Sequence, residues 1–275
     1  MPDTRRTFAR RTLAALASGA LPARPQSILE LPPPPPGTRI AYGDDPNQFG
    51  ELRLPPGPGP HPVLVFIHGG YWFAAYDLNH ASHLCAAVAK AGYAVWSLEY
   101  RRIGQPGAGY PGTFDDIRAG AKRLSRIPNL DLSRIAVAGH SAGGQLALWL
   151  AAQSTIELRS VAALAAVTDL RLGFDLNLGG GAVRQLMGCP PTQCSAEYAK
   201  ASPMDLLPIK VPQRVLHGTA DDIVPFELSQ RFVSASKNAK LVPLADANHF
   251  DLIDPRSKAW PTVLRNLTEP LQSAK

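Results

Sequence analysis

Cysteine, methionine and charged side chains are all scarce in this chain. The 275 residues include three cysteines and three methionines, and only 18% are Asp, Glu, Lys or Arg. Three thiols are too few for a disulfide-stapled scaffold, and no Cys/His cluster has zinc-ligand spacing, which argues against a metal site. No apolar run reaches the roughly 20 residues of a membrane-crossing helix, and mean hydropathy is −0.07. There is no internal repeat, and no basic run interleaved with aromatics, so nucleic-acid binding has no support. The formal net charge of +6 is concentrated: half of it comes from the first segment, where Arg5, Arg6, Arg10 and Arg11 face only Asp3. With 45% hydrophobic residues, the natural reading is one compact domain with a sizeable core.

Glycine and proline, by contrast, are plentiful and punctuate the chain. Thr4-Arg5-Arg6-Thr7-Phe8-Ala9-Arg10, followed by the mildly apolar stretch Leu13 to Ala20, resembles a bacterial twin-arginine export signal. An amphipathic helix or a disordered basic tail is the alternative for the same residues. The signal reading makes 1–23 a targeting segment and implies export, to the periplasm. Five prolines at 32–36 lack N–H donors and favour an extended backbone, so 24–37 reads as a spacer. Cys189 and Cys194 bracket a short turn that an oxidising compartment would close or a reducing one leave open, whereas Cys85 belongs to a core-facing helix.

From residue 38 to 275 the pattern is that of an α/β domain. An antiparallel opening pair is expected over 38–42 and 48–54. Short β-branched or small apolar runs then place strands at 63–67, 94–98, 135–138, 161–166, 214–216 and 241–244. Helices are expected near 81–91, 114–125, 142–152, 225–236 and 255–267. This alternation predicts a mostly parallel sheet covered on both faces. The stretch 168–210 is too long for a plain connection and reads as a lid-like insertion.

The ends of those strands carry the chemistry. Gly139-His140-Ser141-Ala142-Gly143 joins a strand to a helix, a sharp turn that exposes a serine hydroxyl at a helix N-terminus. A serine hydroxyl needs a positioned imidazole to take its proton, and the imidazole needs a carboxylate to fix its tautomer. His249 is the candidate base and Asp221 the candidate acid, with Asp222 as competitor. His68-Gly69-Gly70-Tyr71-Trp72 follows the strand at 63–67 and would supply oxyanion donors from Gly70 and Tyr71, joined by Ala142. Trp72, His140 and Phe174 are expected on the substrate wall. Glu99-Tyr100-Arg101-Arg102 lies either at the mouth of the site or in a structural ion pair. His68 and His217 read as supports of their turns, and His61, His80 and His83 as loop or surface residues.

The order oxyanion loop, Ser, Asp, His, each just past a strand, resembles the α/β-hydrolase family. His-Gly-Gly-Tyr-Trp at 68–72 is similar to the oxyanion motif of eukaryotic-type kynurenine formamidases, and also to bacterial esterases of the hormone-sensitive-lipase and acetyl-xylan or feruloyl esterase kind. The Asp-x-x-Val-Pro spacing from Asp221 to Pro225 follows the family pattern and favours Asp221 over Asp222. The resemblance implies a serine esterase acting on small-molecule esters through an acyl-enzyme, with no metal or organic cofactor. Arylformamidase is the alternative activity, and a non-catalytic ligand-binding protein is a lesser one. Export favours the ester reading, because tryptophan catabolism is cytoplasmic.

Overall fold

The structure, a computed structural model, describes residues 27–272. The expected signal segment therefore lies outside the described residues. Two antiparallel strands, β1 (Thr38–Ala41) and β2 (Phe49–Arg53), open an eight-stranded sheet. The rest of it is β3 (His61–Ile67), β4 (Ala94–Leu98), β5 (Leu130–His140), β6 (Ser160–Leu164), β7 (Gln213–Gly218) and β8 (Ala239–Leu244). The spatial order is β1-β2-β4-β3-β5-β6-β7-β8, with every pair from β4 onward parallel. This is the expected α/β-hydrolase architecture.

Sheet alternation divides the core. Val63, Val65 and Ile67 face one hydrophobic layer, and Leu64 and Phe66 face the other, all fully buried. A strand wrapped on both faces has no polar side, which is why this run lacks alternation in sequence. On the first face lie α2 (Gly112–Arg123), α3 (Ala142–Ala152) and α7 (Phe226–Ala235). On the second lie α1 (Ser82–Lys90) and α8 (Trp260–Thr268). Helix α8 starts later than its sequence pattern suggests. Asp254 accepts from the Arg256 N–H and from its guanidinium, making a turn where a first helical turn was expected, and Pro261 opens the helix instead.

The insertion folds as three short helices, α4 (Leu170–Asp175), α5 (Ala182–Met187) and α6 (Ser195–Ala201). Cys189 and Cys194 form a disulfide between the last two. Cys85 is buried, and that burial pushes its thiol up to about 12. On either side of the proline run the chain is fastened to the domain. Ser27 and Glu30 form a capping box, Ile28 is buried in the core beside α1, and Gly37 N–H donates to Glu51 at 3.0 Å. An apolar anchor and satisfied turn donors fix a segment that composition alone would leave loose. Among the described residues no helix is long and apolar enough to cross a membrane.

Candidate active site

Ser141 stands between β5 and α3 with φ 57° and ψ −122°, a conformation that costs an L-residue about 1–3 kcal/mol. Its neighbours allow it. A Cβ at Gly139 would overlap the Gly143 carbonyl, and one at Gly143 would overlap the carbonyls of Ile67 and His68. The turn is held from both sides: Ser141 N–H donates to Leu164 O at 2.8 Å, and Ser141 O accepts from Gly144 N–H at 2.9 Å.

Asp221 and His249 come from the loops after β7 and β8. His249 Nδ1–H donates to Asp221 Oδ2 at 2.7 Å, and both side chains are almost fully buried. Asp221 Oδ1 accepts from the N–H groups of Ile223 and Val224, each at 2.9 Å. Burial works to raise the Asp221 carboxyl, but hydrogen bonds from His217 and His249, the charge on His249 and the Val224 N–H together hold it well below the usual carboxylate range. Asp222, the competitor, is exposed. Among the described residues neither Ser141 Oγ nor His249 Nε2 has a hydrogen-bond partner, which leaves both open to a substrate. Apo sites of this type are commonly loose and tighten when occupied.

The loop expected to supply oxyanion donors leaves β3 through Gly69 and abuts the serine: a Cβ on Gly69 would lie 3.1 Å from Ser141 Cβ. Gly70, Tyr71 and Trp72 all take positive φ, at 103°, 50° and 59°. The turn is closed by Phe73 N–H on Gly70 O (3.0 Å) and Ile103 N–H on Trp72 O (2.7 Å). No described residue accepts from the backbone N–H groups of Gly70, Tyr71 or Ala142. Tyr71 hydroxyl donates to Ile223 O at 3.1 Å, tying this loop to the one that carries Asp221.

Two of the expected wall residues are placed elsewhere. Trp72 is wholly buried and its indole N–H donates to Gln145 Oε1 at 3.2 Å, so its large apolar ring belongs to the core. His140 is also wholly buried. Its Nε2–H donates to His249 O at 3.0 Å, and its Nδ1 accepts from His80 Nε2–H at 3.0 Å. It therefore braces the loop that carries His249 and offers no surface to a substrate. Burial, with the nearby charges of His249 and His80, holds His140 neutral well below its ordinary value. His80, read from sequence as a loop or surface histidine, is buried too, and burial followed by the charges of His68 and His249 brings it down to about 3. Phe174 is half-buried on α4 and packs against the first-face core.

Sequence reasoning missed Gln145. This fully buried side chain accepts from Trp72 and donates to Ala201 O at 2.9 Å, linking the Gly69–Trp72 loop to the insertion. The available signal was a single amide in an otherwise apolar helix. His217 was read as a turn support, and its contacts are more specific. Its Nε2–H lies 3.2 Å from Asp221 Oδ2, while Nδ1 accepts from Ser229 hydroxyl at 2.6 Å. Glu99, Tyr100 and Arg102 are buried below the Gly69–Trp72 loop, so the structural ion pair describes them and the mouth of the site does not.

A cleft of about 690 Å³ opens beside His249, walled by Ser27, Ile28, Asn248, Phe250 and Arg256 among others. Among the described residues there is no group of three or more His, Cys, Asp or Glu side chains fit to hold a metal ion.

The chain is similar to the isoprenylcysteine alpha-carbonyl methylesterase ICME of Arabidopsis thaliana, 28% identical over 250 residues, covering 78% of this chain and 56% of the relative. Esterase LipC of Mycobacterium tuberculosis is 25% identical over 245 residues, with 78% and 60% covered. The chain thus spans little more than half the length of these relatives. Among solved structures, esterase B of Lactobacillus rhamnosis superimposes with a TM-score of 0.72 at 21% identity, over 86% of this chain and 84% of that one. That likeness carries the fold. The BD-FAE family model matches residues 52–235, a span that runs from the end of β2 through the Gly69–Trp72 loop, Ser141 and Asp221 to the end of α7, and this chain belongs to the BD-FAE family of hormone-sensitive-lipase-like α/β-hydrolases.

Proposed function

We propose that this protein hydrolyses carboxylic esters of small molecules, with Ser141 as nucleophile, His249 as general base and acid, and Asp221 as its orienting carboxylate. The observation that carries the reading is the 2.7 Å hydrogen bond from His249 Nδ1–H to a buried, ionised Asp221. It fixes the imidazole with its proton on Nδ1 and its lone pair on Nε2, the nitrogen left free beside the serine turn. Ser141 Oγ attacks the ester carbonyl while Nε2 takes its proton, and the carbonyl oxygen becomes an oxyanion. The free N–H groups of Gly70, Tyr71 and Ala142 are the donors for that charge, and one such donor is typically worth about 10²–10³ in rate. Collapse expels the alcohol, which leaves with the proton from Nε2. Water then repeats the sequence on the acyl-enzyme.

The relatives named above are esterases, which supports the acyl-transfer chemistry. The twin-arginine-like segment at 4–10 supports export to the periplasm, where esters from outside the cell are met. Phe174 is proposed to border the substrate through its half-buried ring.

The test is a hydrolysis panel of p-nitrophenyl acetate and butyrate, methyl ferulate, acetylated xylan and N-formylkynurenine, with Ser141→Ala as blank. Ester turnover that falls by about 10⁶ in the variant, with phosphonate labelling at Ser141 in the parent, is the expected result. Preference for N-formylkynurenine would replace the ester reading by an arylformamidase. Retained turnover in Ser141→Ala would dismiss the mechanism.

A further inference from the structure

Glu99 and His68 form a buried pair at the foot of the oxyanion loop. Every neighbour of the Glu99 carboxylate is a donor: Leu78 N–H and Tyr100 N–H, each at 3.0 Å, His68 Nε2 at 3.1 Å, and the Arg102 guanidinium at 3.2 Å as an ion pair. Burial opposes its ionisation, yet the charge and hydrogen bond of His68, with Arg102 and the Tyr100 N–H, keep the carboxyl below its ordinary value. Glu99 is thus an anion and only accepts. The other ring nitrogen of His68, Nδ1, lies 2.8 Å from Gly69 O, also an acceptor without a proton to give. A neutral imidazole has one N–H and one lone pair, so one of these two contacts would set lone pair against lone pair. Only the doubly protonated ring satisfies both.

We propose that His68 is held as an imidazolium and acts as a positioning residue that polarises the Gly69–Gly70 peptide, strengthening the Gly70 N–H as an oxyanion donor. The carbonyl it donates to and the Gly70 N–H are two ends of one amide. A charge-assisted hydrogen bond on the carbonyl oxygen draws electron density from the nitrogen and makes its N–H a stronger donor. The charge balance fits the same role. Glu99 and Arg102 cancel, and His68 leaves the cluster one unit positive inside the protein, where an unmatched charge is costly. The oxyanion supplies the missing negative charge as it forms, so the benefit falls on the transition state and not on the bound ester. Tyr100 stacks on the ring at 4.4 Å and donates its hydroxyl to His68 O at 3.0 Å, holding the imidazole in place.

This inference rests on Gly70 being an oxyanion donor, and its first test does not need turnover. Nitrogen-15 NMR of histidine-labelled protein at neutral pH, where a free imidazole is mostly neutral, should show His68 carrying protons on both ring nitrogens while His80 and His140 carry one each. A single protonated nitrogen at His68 overturns the proposal even in an active esterase. The second test is Glu99→Gln, which keeps the shape and removes the anion. It should lower kcat about 10- to 100-fold, bounded by the 10²–10³ of a whole donor, leave KM nearly unchanged, and weaken a transition-state-mimicking trifluoromethyl ketone by the same factor. Unchanged kcat, or a loss confined to KM, counts against it. Failure of the phosphonate to label Ser141 in the parent would instead remove the esterase reading.

Discussion

Replacing Asp221 by Asn tests the base–acid pair without changing its volume. The two carboxylate oxygens have different duties: Oδ1 receives the backbone N–H groups of Ile223 and Val224, and Oδ2 receives His249 and His217. An amide has one oxygen, and the two fixed backbone donors hold it at the Oδ1 position. The NH₂ group then faces His249 Nδ1. To avoid donor against donor, the imidazole must accept at Nδ1 and carry its proton on Nε2, where the serine needs a lone pair. The base is lost while the fold and the cleft stay in place. A wrong tautomer of this kind lowers kcat by about 10⁴ in a triad, which is about 5.5 kcal/mol of transition-state stabilisation at 1.36 kcal/mol per tenfold. The assay is kcat and KM on p-nitrophenyl acetate, with Asp222→Asn alongside. Asp222 is exposed, and its variant should stay within about twofold of the parent, as surface changes usually do. Asp221→Asn activity within tenfold of the parent, or an equal fall in Asp222→Asn, would refute the assignment.

Two further expectations concern stability. His80 and His140 are buried neutral, with His80 down to about 3 and His140 well below its ordinary value, whereas an unfolded imidazole binds its proton below about 6.5. The unfolded chain therefore takes up more protons on acidification, and stability should fall as pH drops from about 6.5 toward 3. Tm should decline across that window, less so in His80→Gln, and a flat profile would contradict the buried neutral pair. The Cys189–Cys194 disulfide closes a loop with a sequence separation of 5, worth about 2 kcal/mol by loop-closure entropy. Reduction should lower Tm by about 4–8 °C, and an unchanged Tm would show that the insertion does not melt with the domain.

The parallel sheet was legible because buried strands are short, apolar and separated by helix-period segments. The edges of β4 and the whole of α3 match expectation residue for residue. The Ser141, Asp221 and His249 positions were legible for a related reason: each follows a strand, and a turn with tightly limited shape allows few residue types. The histidine network was not. His80 reads as a loop or surface residue, His68 and His217 as turn supports and His140 as part of the substrate wall, because a histidine in sequence carries no sign of whether its second nitrogen finds a partner. His80 and His140 meet only through the packing of the segment before α1 against the end of β5, a contact 60 residues apart. Trp72 misled for the opposite reason. It adjoins the oxyanion donors in sequence, but the positive φ at Tyr71 and at Trp72 itself turns its ring inward onto Gln145.

The anchored turn at Ser27–Glu30 has a geometric consequence. Ser27 and Ile28 wall the cleft beside His249, so a capped turn closes one side of that opening. The outline of the opening thus depends on one side-chain cap and one buried isoleucine, both far in sequence from Ser141, Asp221 and His249.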